Sequence, residues 1–539
     1  MRSSGILLHI SSLPSPYGIG SFGKSAFDFV DFLEKSGQEY WQVLPMGPTG
    51  YGDSPYQSFS TFAGNPYFID LDTLADEGLL DKGTLADHDW YWTKDRVDYG
   101  RMYNTKFAVL KTAYENFAKN PDVEFEKFCE EEKQWLDDYA MYMTINTETK
   151  KSWHDWEEGL SLREESAMTE YRSRHKEDID FWKFMQYEFF KQWNKVKAYA
   201  NENGIKIIGD LPIYVSDNGS DVWANPGLFD MDENLALRNV AGVPPDAFSE
   251  DGQLWGNPVY NWAEHKKTGY DWWGRRMNAA LKMYDVVRID HFRGFESYFS
   301  VDASETTARN GKWVKGPDID LFETLGLIGG EEFNIIAEDL GVITPEVRKL
   351  LDGCGYPGMK ILQFAFGINP DNEDGEYLPH NIGENSIVYP GTHDNNTTMG
   401  WWKTEPKHNR KLCLEYGAWE SDDDICDKLI TMAFSTRAKL SVVAMQDWLD
   451  LDETGRMNTP STNSGNWSWR LTENDLTDRL AERILRKARV YNRFAGRTKA
   501  EKAAIAAREA EEKARKEKEA DEAAKKAAEA ETKETTPAE

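Results

Sequence analysis

Short apolar runs recur along the chain, and each one ends in polar or glycine-rich sequence. The eight runs are GILLHISSL (5–13), YWQVLPMGP (40–48), IKIIGDLPIYV (205–215), VVRIDHFRGF (286–295), NIIAEDLG (334–341), MKILQFAFG (359–367), SIVYPGTHD (386–394) and KLSVVAMQDW (439–448). Near-continuous runs of valine, isoleucine and leucine are typical of strands buried on both faces, as in parallel sheets. The pattern therefore predicts eight parallel strands.

Helical patterns fill many of the gaps between these runs, for example at 25–37 and 344–355. The second begins with Thr344 as N-cap and Pro345 at the first helical position, and it ends on Gly353 and Gly355. Strands that alternate with helices eight times predict an α/β fold of the (β/α)8 TIM-barrel type. A doubly wound sheet alternates in the same way, but it usually has a glycine-rich nucleotide loop, and we expect none here.

Two long gaps predict insertions into the barrel. We expect residues 1–497 to form the catalytic barrel, with a mainly helical insertion at 48–204, because that gap is too long for one connection. A second insertion at 216–285 contains the segment 242–262, whose proline, glycine and aromatic residues are typical of an ordered loop that covers a site. Residues 498–539 are nearly all Ala, Glu and Lys, which predicts a solvated helical or disordered tail.

The net charge and the cysteines narrow the possible functions. A charge of −30 argues against nucleic-acid and anionic-membrane partners, which would be repelled. The four cysteines have no CxxC spacing, so we expect no disulfide framework and a cytoplasmic location. We also expect neither a signal peptide nor a membrane span, because no window approaches the roughly 20 apolar residues that a span needs.

Polar side chains that could do chemistry follow several of the predicted strands. They are Asp210, Asp290, Glu338, Asp394 and the pair Gln446-Asp447. The carboxyl ends of barrel strands converge on one face, where active sites lie. Two carboxylates about 5–5.5 Å apart across a glycosidic bond form a retaining glycosidase or transglycosylase. A metal site is the rival use of such a cluster, but we find neither HExxH nor EF-hand spacing.

The fourth run places polar side chains at the end of an apolar strand, where burial is costly unless they pair. Arg288 and Asp290 are two residues apart, so they lie on one face of the strand. Arg288 can therefore hold Asp290 ionised, which is what a nucleophile needs. A purely structural ion pair inside the barrel explains these two residues equally well.

The other carboxylates are ambiguous when each is taken alone. Glu338 has Asp339 beside it, and strand parity does not choose which of the two donates a proton. An acid that works near neutral pH needs a raised pKa, which an apolar pocket or a nearby carboxylate can supply. Asp394, which follows His393, also fits the role of a helix N-cap.

Six longer motifs resemble a known family. They are GPTGYGDSPYQSFSTFAGNP (47–66), GVPPDAFSEDGQLWGNP (242–258), VRIDHFRGFE (287–296), AEDLGVITPEV (337–347), GTHDNNTTMGW (391–401) and SGNWSWR (464–470). Through them the chain is similar, from about residue 3 to about residue 495, to the 4-α-glucanotransferases of the amylomaltase type (disproportionating enzymes). These form glycoside hydrolase family 77 in the α-amylase superfamily.

The resemblance implies a role for each candidate residue. Asp290 would be the nucleophile that forms a glycosyl-enzyme, Glu338 rather than Asp339 the general acid/base, and Asp394 the group that binds the sugar 2- and 3-hydroxyls and stabilises the transition state. The supporting residues would be Arg288, which orients Asp290; His393, which assists Asp394; Asp210, which holds the site together; Asp246, Gln253 and Trp255, which cover the acceptor side; and Ser54 and Tyr56, which contact the glucan.

The implied activity is transfer of an α-1,4-glucan segment to the 4-hydroxyl of a maltooligosaccharide or of glucose, by a retaining double displacement. Neither a cofactor nor a metal is implied. An amylase-like retaining hydrolase, with water as acceptor, is the alternative, and a non-catalytic glucan-binding protein is a third possibility, which the intact carboxylates argue against. A large aromatic loop such as 242–262 favours transfer if it keeps water from the intermediate.

Overall fold

A closed barrel of eight parallel strands lies at the centre of the computed structural model, which describes residues 2–50, 52–245, 249–329, 334–367, 375–462 and 464–534. The strands of these residues are β1 (Ser3–Leu7), β2 (Tyr40–Gln42), β3 (Lys206–Pro212), β4 (Asn239–Val243), β5 (Gln253–Pro258), β6 (Val286–Asp290), β7 (Ser297–Asp302), β8 (Lys312–Lys315), β9 (Ile335–Ala337), β10 (Gly358–Ile361), β11 (Ser386–Tyr389) and β12 (Leu440–Ala444). Around the barrel their order is β1-β12-β11-β10-β9-β6-β3-β2. Each of the eight predicted runs supplies one barrel strand, so the predicted (β/α)8 fold is confirmed.

Helices separate most of the barrel strands. The α-helices of the described residues are α1 (Lys24–Lys35), α2 (Leu71–Asp76), α3 (Lys82–Leu85), α4 (Tyr99–Phe117), α5 (Val123–Glu131), α6 (Lys133–Thr149), α7 (Glu158–Ser161), α8 (Glu165–Arg174), α9 (Lys176–Glu202), α10 (Ser220–Ala224), α11 (Trp262–Lys267), α12 (Asp271–Met283), α13 (Ile319–Thr324), α14 (Pro345–Cys354), α15 (Thr398–Thr404), α16 (Lys407–Tyr416), α17 (Ile425–Ser435), α18 (Met445–Trp448), α19 (Asp478–Val490) and α20 (Lys499–Glu534). Helix α14 begins as predicted, because the Thr344 hydroxyl accepts from the Val347 N–H. Gly355 follows its end with a φ of +72°, whereas Gly353 still lies within the helix.

Alternate residues of the barrel strands belong to two different apolar clusters. Ile208, Val286 and Ile336 pack together with residues of the other barrel strands in the barrel interior. Val287 and Ala337, their neighbours in sequence, pack in the larger cluster that includes the surrounding helices. Because side chains alternate across a strand, the residues two and four positions beyond Val286 also face the barrel axis.

A long helical segment and a second sheet extend from the barrel. Helices α2 to α9 lie between β2 and β3. The second sheet is antiparallel, in the order β5-β4-β7-β8, with β4 and β5 before β6 in the chain and β7 and β8 after it. The segment 242–262, expected to be an ordered loop, therefore contains the end of β4 and all of β5. The pairing of β4 with β5 has a register shift between Val240 and Gly242. The glycines and prolines of this segment fit such a shift, because both residue types are tolerated at bulges in strands.

We expected no glycine-rich nucleotide loop, but one stretch of the sequence does fit such a motif. Residues 18–25, GIGSFGKS, fit the Walker pattern GxxxxGK[ST], and residues 18–23 also fit GxGxxG. The structure leaves no cradle for a phosphate there, because the N–H of Gly20 donates to Ser11 and the N–H of Phe22 donates to Phe68. The carboxylate of Asp70 accepts from Ser21 at 2.8 Å and lies against Gly23, where it would repel an anion.

The first turn of helix α20 is tied to the rest of the chain by hydrogen bonds and an ion pair. Thr498 and Glu501 cap each other through reciprocal hydrogen bonds, and Glu501 pairs with Arg489 at 2.6 Å. The N–H of Lys499 donates to Glu34 at 2.5 Å. Among the described residues, no helix is both long and apolar enough to cross a membrane.

Candidate active site

A buried arginine joins two carboxylates at the end of the barrel. The register between β3 and β6 places Asp210 beside Arg288. Nη1 of Arg288 lies 2.8 and 2.7 Å from the two carboxylate oxygens of Asp210, and 3.0 Å from Oδ1 of Asp290. Arg288 is only 3% exposed, so its charge is balanced by these two acids rather than by water. The pairing expected from the spacing of Arg288 and Asp290 is present, and Asp210 shares the same cation.

The pKa of Asp290 is raised above its ordinary value. Burial is the largest cause, and the negative charges of Asp210 and Asp394 add to it. Arg288 lowers this pKa, as expected from the sequence, but burial outweighs it. Arg288 therefore limits the rise rather than depressing the pKa. The side chain of Asp290 is still 28% exposed, so a reacting group can approach it.

Glu338 lies directly beside Asp290 because it continues the pairing of β9 with β6. Its N–H donates to the carbonyl of Ile289, and its own carbonyl accepts from Phe292. The carboxylate accepts from the backbone N–H of His291 at 2.6 Å and of Leu340 at 2.7 Å. His291 has a φ of +52°, an uncommon backbone conformation. The turn after Asp290 thus aims a backbone donor at Glu338.

Burial and the charge of Asp290 raise the pKa of Glu338 to about 7, against the opposing effects of Arg288 and of two backbone N–H groups. Asp339 has different neighbours, since its carboxylate accepts from the Met359 N–H at 2.6 Å and from Lys360 at 3.4 Å. Of these two adjacent acids, Glu338 is therefore the one that faces Asp290.

Asp394 belongs to a second group of polar side chains, which meets the first at Asp210. Nε2 of His393 lies 3.3 Å from Oδ2 of Asp394 and 2.8 Å from the hydroxyl of Tyr56. The same hydroxyl donates to Oδ2 of Asp210 at 2.8 Å. The rings of Tyr56 and His393 stack at 14° with centroids 5.3 Å apart. A continuous chain of polar contacts therefore runs from Asp394 through His393, Tyr56 and Asp210 to Arg288.

The two members of the His393-Asp394 pair have opposite pKa shifts. Burial alone would raise the pKa of Asp394, but the charge and hydrogen bond of His393 and the hydrogen bond from Asn458 hold it well below its ordinary value. Burial alone would lower the pKa of His393, and the charge of Asp394 raises it instead. The pair therefore favours an ionised Asp394, whose side chain is 46% exposed. No helix-capping bond from this carboxylate occurs among the described contacts.

Three further predicted residues, Ser54, Gln253 and Trp255, lie around these two groups. Ser54 accepts from the N–H of Tyr56 at 3.3 Å and so supports the turn that presents Tyr56. Trp255, on β5, packs edge-to-face against the ring of His291 with centroids 4.9 Å apart. Gln253 accepts from the indole N–H of Trp255 at 3.2 Å. Asp246 falls outside the described residues.

Two residues at the end of the eighth run do not join the site. Asp447 accepts from the N–H and the hydroxyl of Thr398 at the start of α15, and Gln446 donates to the carbonyl of Gly455. Asn458 and Arg456, which contact Asp394, were not among the predicted residues. Nothing in the sequence around them indicates this contact. Trp467, which packs near both Tyr56 and His393, does lie in one of the six motifs.

The residues that the structure describes offer no set of ligands for a metal centre. Across the described ranges, His, Cys, Asp and Glu side chains form no group of three that could hold a metal ion. Cys129, Cys354, Cys413 and Cys426 are all free thiols.

The comparisons with known proteins converge on one family. The sequence model of glycoside hydrolase family 77, described as 4-alpha-glucanotransferase, matches residues 8–477. A 4-alpha-glucanotransferase of Clostridium butyricum is 49% identical over 489 residues, which cover 90% of this chain and 100% of that protein. One from Streptococcus pneumoniae serotype 4 is 48% identical over 501 residues, covering 92% and 98% of the two chains.

A solved structure is similar over the same part of the chain. The amylomaltase from Streptococcus agalactiae in complex with acarbose has a TM-score of 0.88 and 40% identity, and the match covers 92% of this chain and 100% of that one. The sequence and structure comparisons therefore agree with the resemblance that the six motifs indicate.

Proposed function

Because the chain belongs to glycoside hydrolase family 77, the 4-α-glucanotransferases, we propose that it moves α-1,4-glucan segments between maltooligosaccharides, or from them to glucose. The observation that supports this proposal most strongly is the placement of Glu338, with its raised pKa, beside Asp290, which shares Arg288 with Asp210. One carboxyl group that keeps its proton next to one that keeps its charge is the arrangement that retaining chemistry requires.

In the first half-reaction, the carboxylate of Asp290 attacks C1 of the donor sugar while Glu338 gives its proton to the departing glycosidic oxygen. The electron pair of the C1–O bond stays with that oxygen, and an ester joins Asp290 to the sugar. This step removes the negative charge of Asp290, which is a cause of the raised pKa of Glu338. The pKa of Glu338 then falls, so the same residue becomes the base of the next step.

In the second half-reaction, Glu338 takes the proton of the acceptor 4-hydroxyl, whose oxygen attacks C1 and releases the carboxylate of Asp290. Asp394 stays ionised beside His393 and holds hydroxyls of the sugar ring while positive charge develops at C1. Tyr56 and Asp210 keep Arg288 and His393 in place through their hydrogen bonds.

The acceptor is a sugar rather than water if the approach to Asp290 is shaped to bind a glucan. We propose that Trp255 and Gln253 on β5 line the acceptor side, and that Ser54 and Tyr56 contact the donor glucan. The packing of Trp255 on His291, the residue after Asp290, supports this placement. An apolar ring there would exclude water from the ester.

Four free thiols and a charge of −30 favour work in the cytoplasm on neutral glucans rather than on nucleic acids or anionic membranes. We propose that residues 1–497 form the catalytic unit, with 48–204 and 216–285 as insertions, and that 498–539 is a separate tail.

Incubation with maltotriose alone tests the function. A transferase yields glucose and a ladder of longer maltooligosaccharides while the number of reducing ends stays constant. An increase in reducing ends without longer products would make the enzyme a hydrolase, and unchanged maltotriose would contradict both activities.

A further inference from the structure

The segment 456–458 contacts both residues of the His393-Asp394 pair. Nδ2 of Asn458 donates to Oδ1 of Asp394 at 2.6 Å, and the backbone N–H of Asn458 donates to the carbonyl of His393 at 3.1 Å. Nη2 of Arg456 donates to the carbonyl of Asp394 at 2.8 Å. Three donors from one short segment therefore fix both the backbone and the carboxylate of this pair.

This segment is itself held in place from two sides. Nε of Arg456 donates to the carbonyl of Asn458 at 2.6 Å, which closes the segment on itself. The N–H of Trp467 donates to the carbonyl of Met457 at 2.7 Å, and the ring of Trp467 lies 5.8 Å from that of Tyr56. Hydrogen bonds therefore hold the backbone that carries Asn458 in place beside Asp394.

The two oxygens of Asp394 have different partners as a result. Oδ1 accepts from the neutral amide of Asn458, and Oδ2 faces the imidazole of His393. An amide donor can neither gain nor lose a proton near neutral pH, so it fixes the plane of the carboxylate without adding a charge. The remaining lone pairs of this half-exposed carboxylate are left for a ligand.

We propose that Asn458 is a positioning residue that orients the carboxylate of Asp394 toward the sugar ring and keeps it ionised, an inference that rests on the proposed function. Asn458 acts here through Asp394, not on the reacting atoms. Arg456 serves the same purpose through the backbone of Asp394.

The ionisation of Asp394 depends on several groups besides Asn458. The titratable and charged groups that face it are His393, Arg288, Asp290, Tyr56 and Arg456. The charges of His393 and Arg288 hold the pKa of Asp394 down together with the Asn458 bond. Removal of that bond therefore raises this pKa, and a carboxylate in its place raises it much further, because two adjacent carboxylates share one proton.

Three substitutions and a matched control test the proposal with maltotriose as substrate. Asn458→Ala removes the donor, Asn458→Asp replaces it with a carboxylate, and Asn458→Ser keeps a shorter donor. Thr459→Ala is the control, because Thr459 is exposed and its hydroxyl makes no hydrogen bond in the described part of the chain. Melting temperatures of all four variants check that they fold.

We expect Asn458→Ala to lower kcat about 10- to 100-fold, the usual effect of losing a hydrogen bond to a charged group, with KM changed less than threefold. Asn458→Ser should recover part of this loss. The acidic limb of the pH profile, which Asp290 sets, should stay in place in Asn458→Ala, because His393 and Arg288 still hold the pKa of Asp394 down. In Asn458→Asp, a proton shared by the two adjacent carboxylates should move the acidic limb to higher pH, while the alkaline limb stays in place. Thr459→Ala should match the wild type.

Two results would overturn the proposal. A folded Asn458→Ala variant whose kcat stays within threefold of wild type would exclude a positioning role. An equal loss of activity at every pH in Asn458→Asp, with a lowered melting temperature, would indicate a purely structural role. Failure of the proposed function is separate, because it would appear as wild-type protein that leaves maltotriose unchanged.

Discussion

Glu338 and Asp339 are adjacent in the chain, yet their carboxylates have entirely different partners. That of Glu338 accepts from the backbone of His291, next to Asp290, whereas that of Asp339 accepts from the Met359 N–H and from Lys360. Both side chains are buried. This pair allows a chemical role to be separated from a structural one, because the same change from a carboxyl group to an amide can be made at neighbouring positions.

Glu338→Gln should abolish proton donation while the protein stays folded. We expect transfer between maltooligosaccharides to fall about 100- to 10,000-fold, because a positioned general acid typically contributes this much. α-Maltosyl fluoride should still react with the variant, because fluoride leaves without a proton. Initial rates with both substrates measure this, and equal losses on the two would argue against an acid role.

Asp339→Asn should weaken the fold instead. Its carboxylate has a buried backbone donor and a lysine as partners, so we expect a loss of about 1–3 kcal/mol in the free energy of unfolding. The folded variant should keep wild-type kcat. Urea unfolding and maltotriose kinetics measure the two effects, and a large loss of kcat in a stable variant would reverse the assignment of the two acids.

Asp290→Asn should remove turnover and leave glucan binding. We expect kcat to fall at least about a thousand-fold, because an amide cannot form the glycosyl ester. Isothermal calorimetry with maltooligosaccharides should give a Kd close to that of the wild type. Turnover at the wild-type rate would exclude Asp290 as the nucleophile.

The pH dependence of kcat/KM should be bell-shaped. Burial, only partly offset by Arg288, raises the pKa of Asp290 to about 6, and this group must be ionised, so activity falls as the pH drops below about 6. Burial and Asp290 raise the pKa of Glu338 to about 7, and this group must be protonated, so activity falls as the pH rises above about 7. Both limbs belong to the coupled pair. Activity that keeps rising through pH 9 would contradict this.

Tyr56→Phe should lower kcat about tenfold without unfolding the protein. The ring keeps its stacking on His393, but its hydrogen bonds to Asp210 and His393 are lost. Tyr187→Phe is a matched control, because it loses a hydroxyl bond to Asp122 on the helical insertion. Steady-state kinetics of both variants measure these effects. An equal loss of kcat in the two variants would show that the Tyr56 hydroxyl does not support catalysis.

The fold could be predicted from the sequence because the barrel strands lie in mainly apolar runs, and each run ends in polar or glycine-rich sequence. Because both faces of β9 are apolar, the sequence pattern does not show whether Glu338 or Asp339 faces the site. The structure decides this, because it places Ile336 in the barrel interior and Ala337 outside it, so Glu338 shares the face of Ile336. The Arg288–Asp290 contact was predictable because it depends on a local spacing of two residues.

Contacts between distant parts of the chain could not be predicted in this way. Asn458 and Asp394 are 64 positions apart in the sequence, and no local pattern indicates that their side chains meet. The sharing of Arg288 between Asp210 and Asp290 also depends on the register of two strands. The pKa of Asp290 rises mainly because of burial, and the register adds the negative charge of Asp210 to this effect.

The most direct test of the central claim, that Asp290 forms a covalent intermediate, is to trap the glycosyl ester. Glu338→Gln lacks the base for the second half-reaction, so α-maltosyl fluoride should release fluoride and leave the sugar bound to the protein. Mass spectrometry of the intact variant should then detect one maltosyl group, and digestion should locate it on Asp290. A maltosyl group on a different residue, or fluoride release with an inverted product and no adduct, would contradict the account.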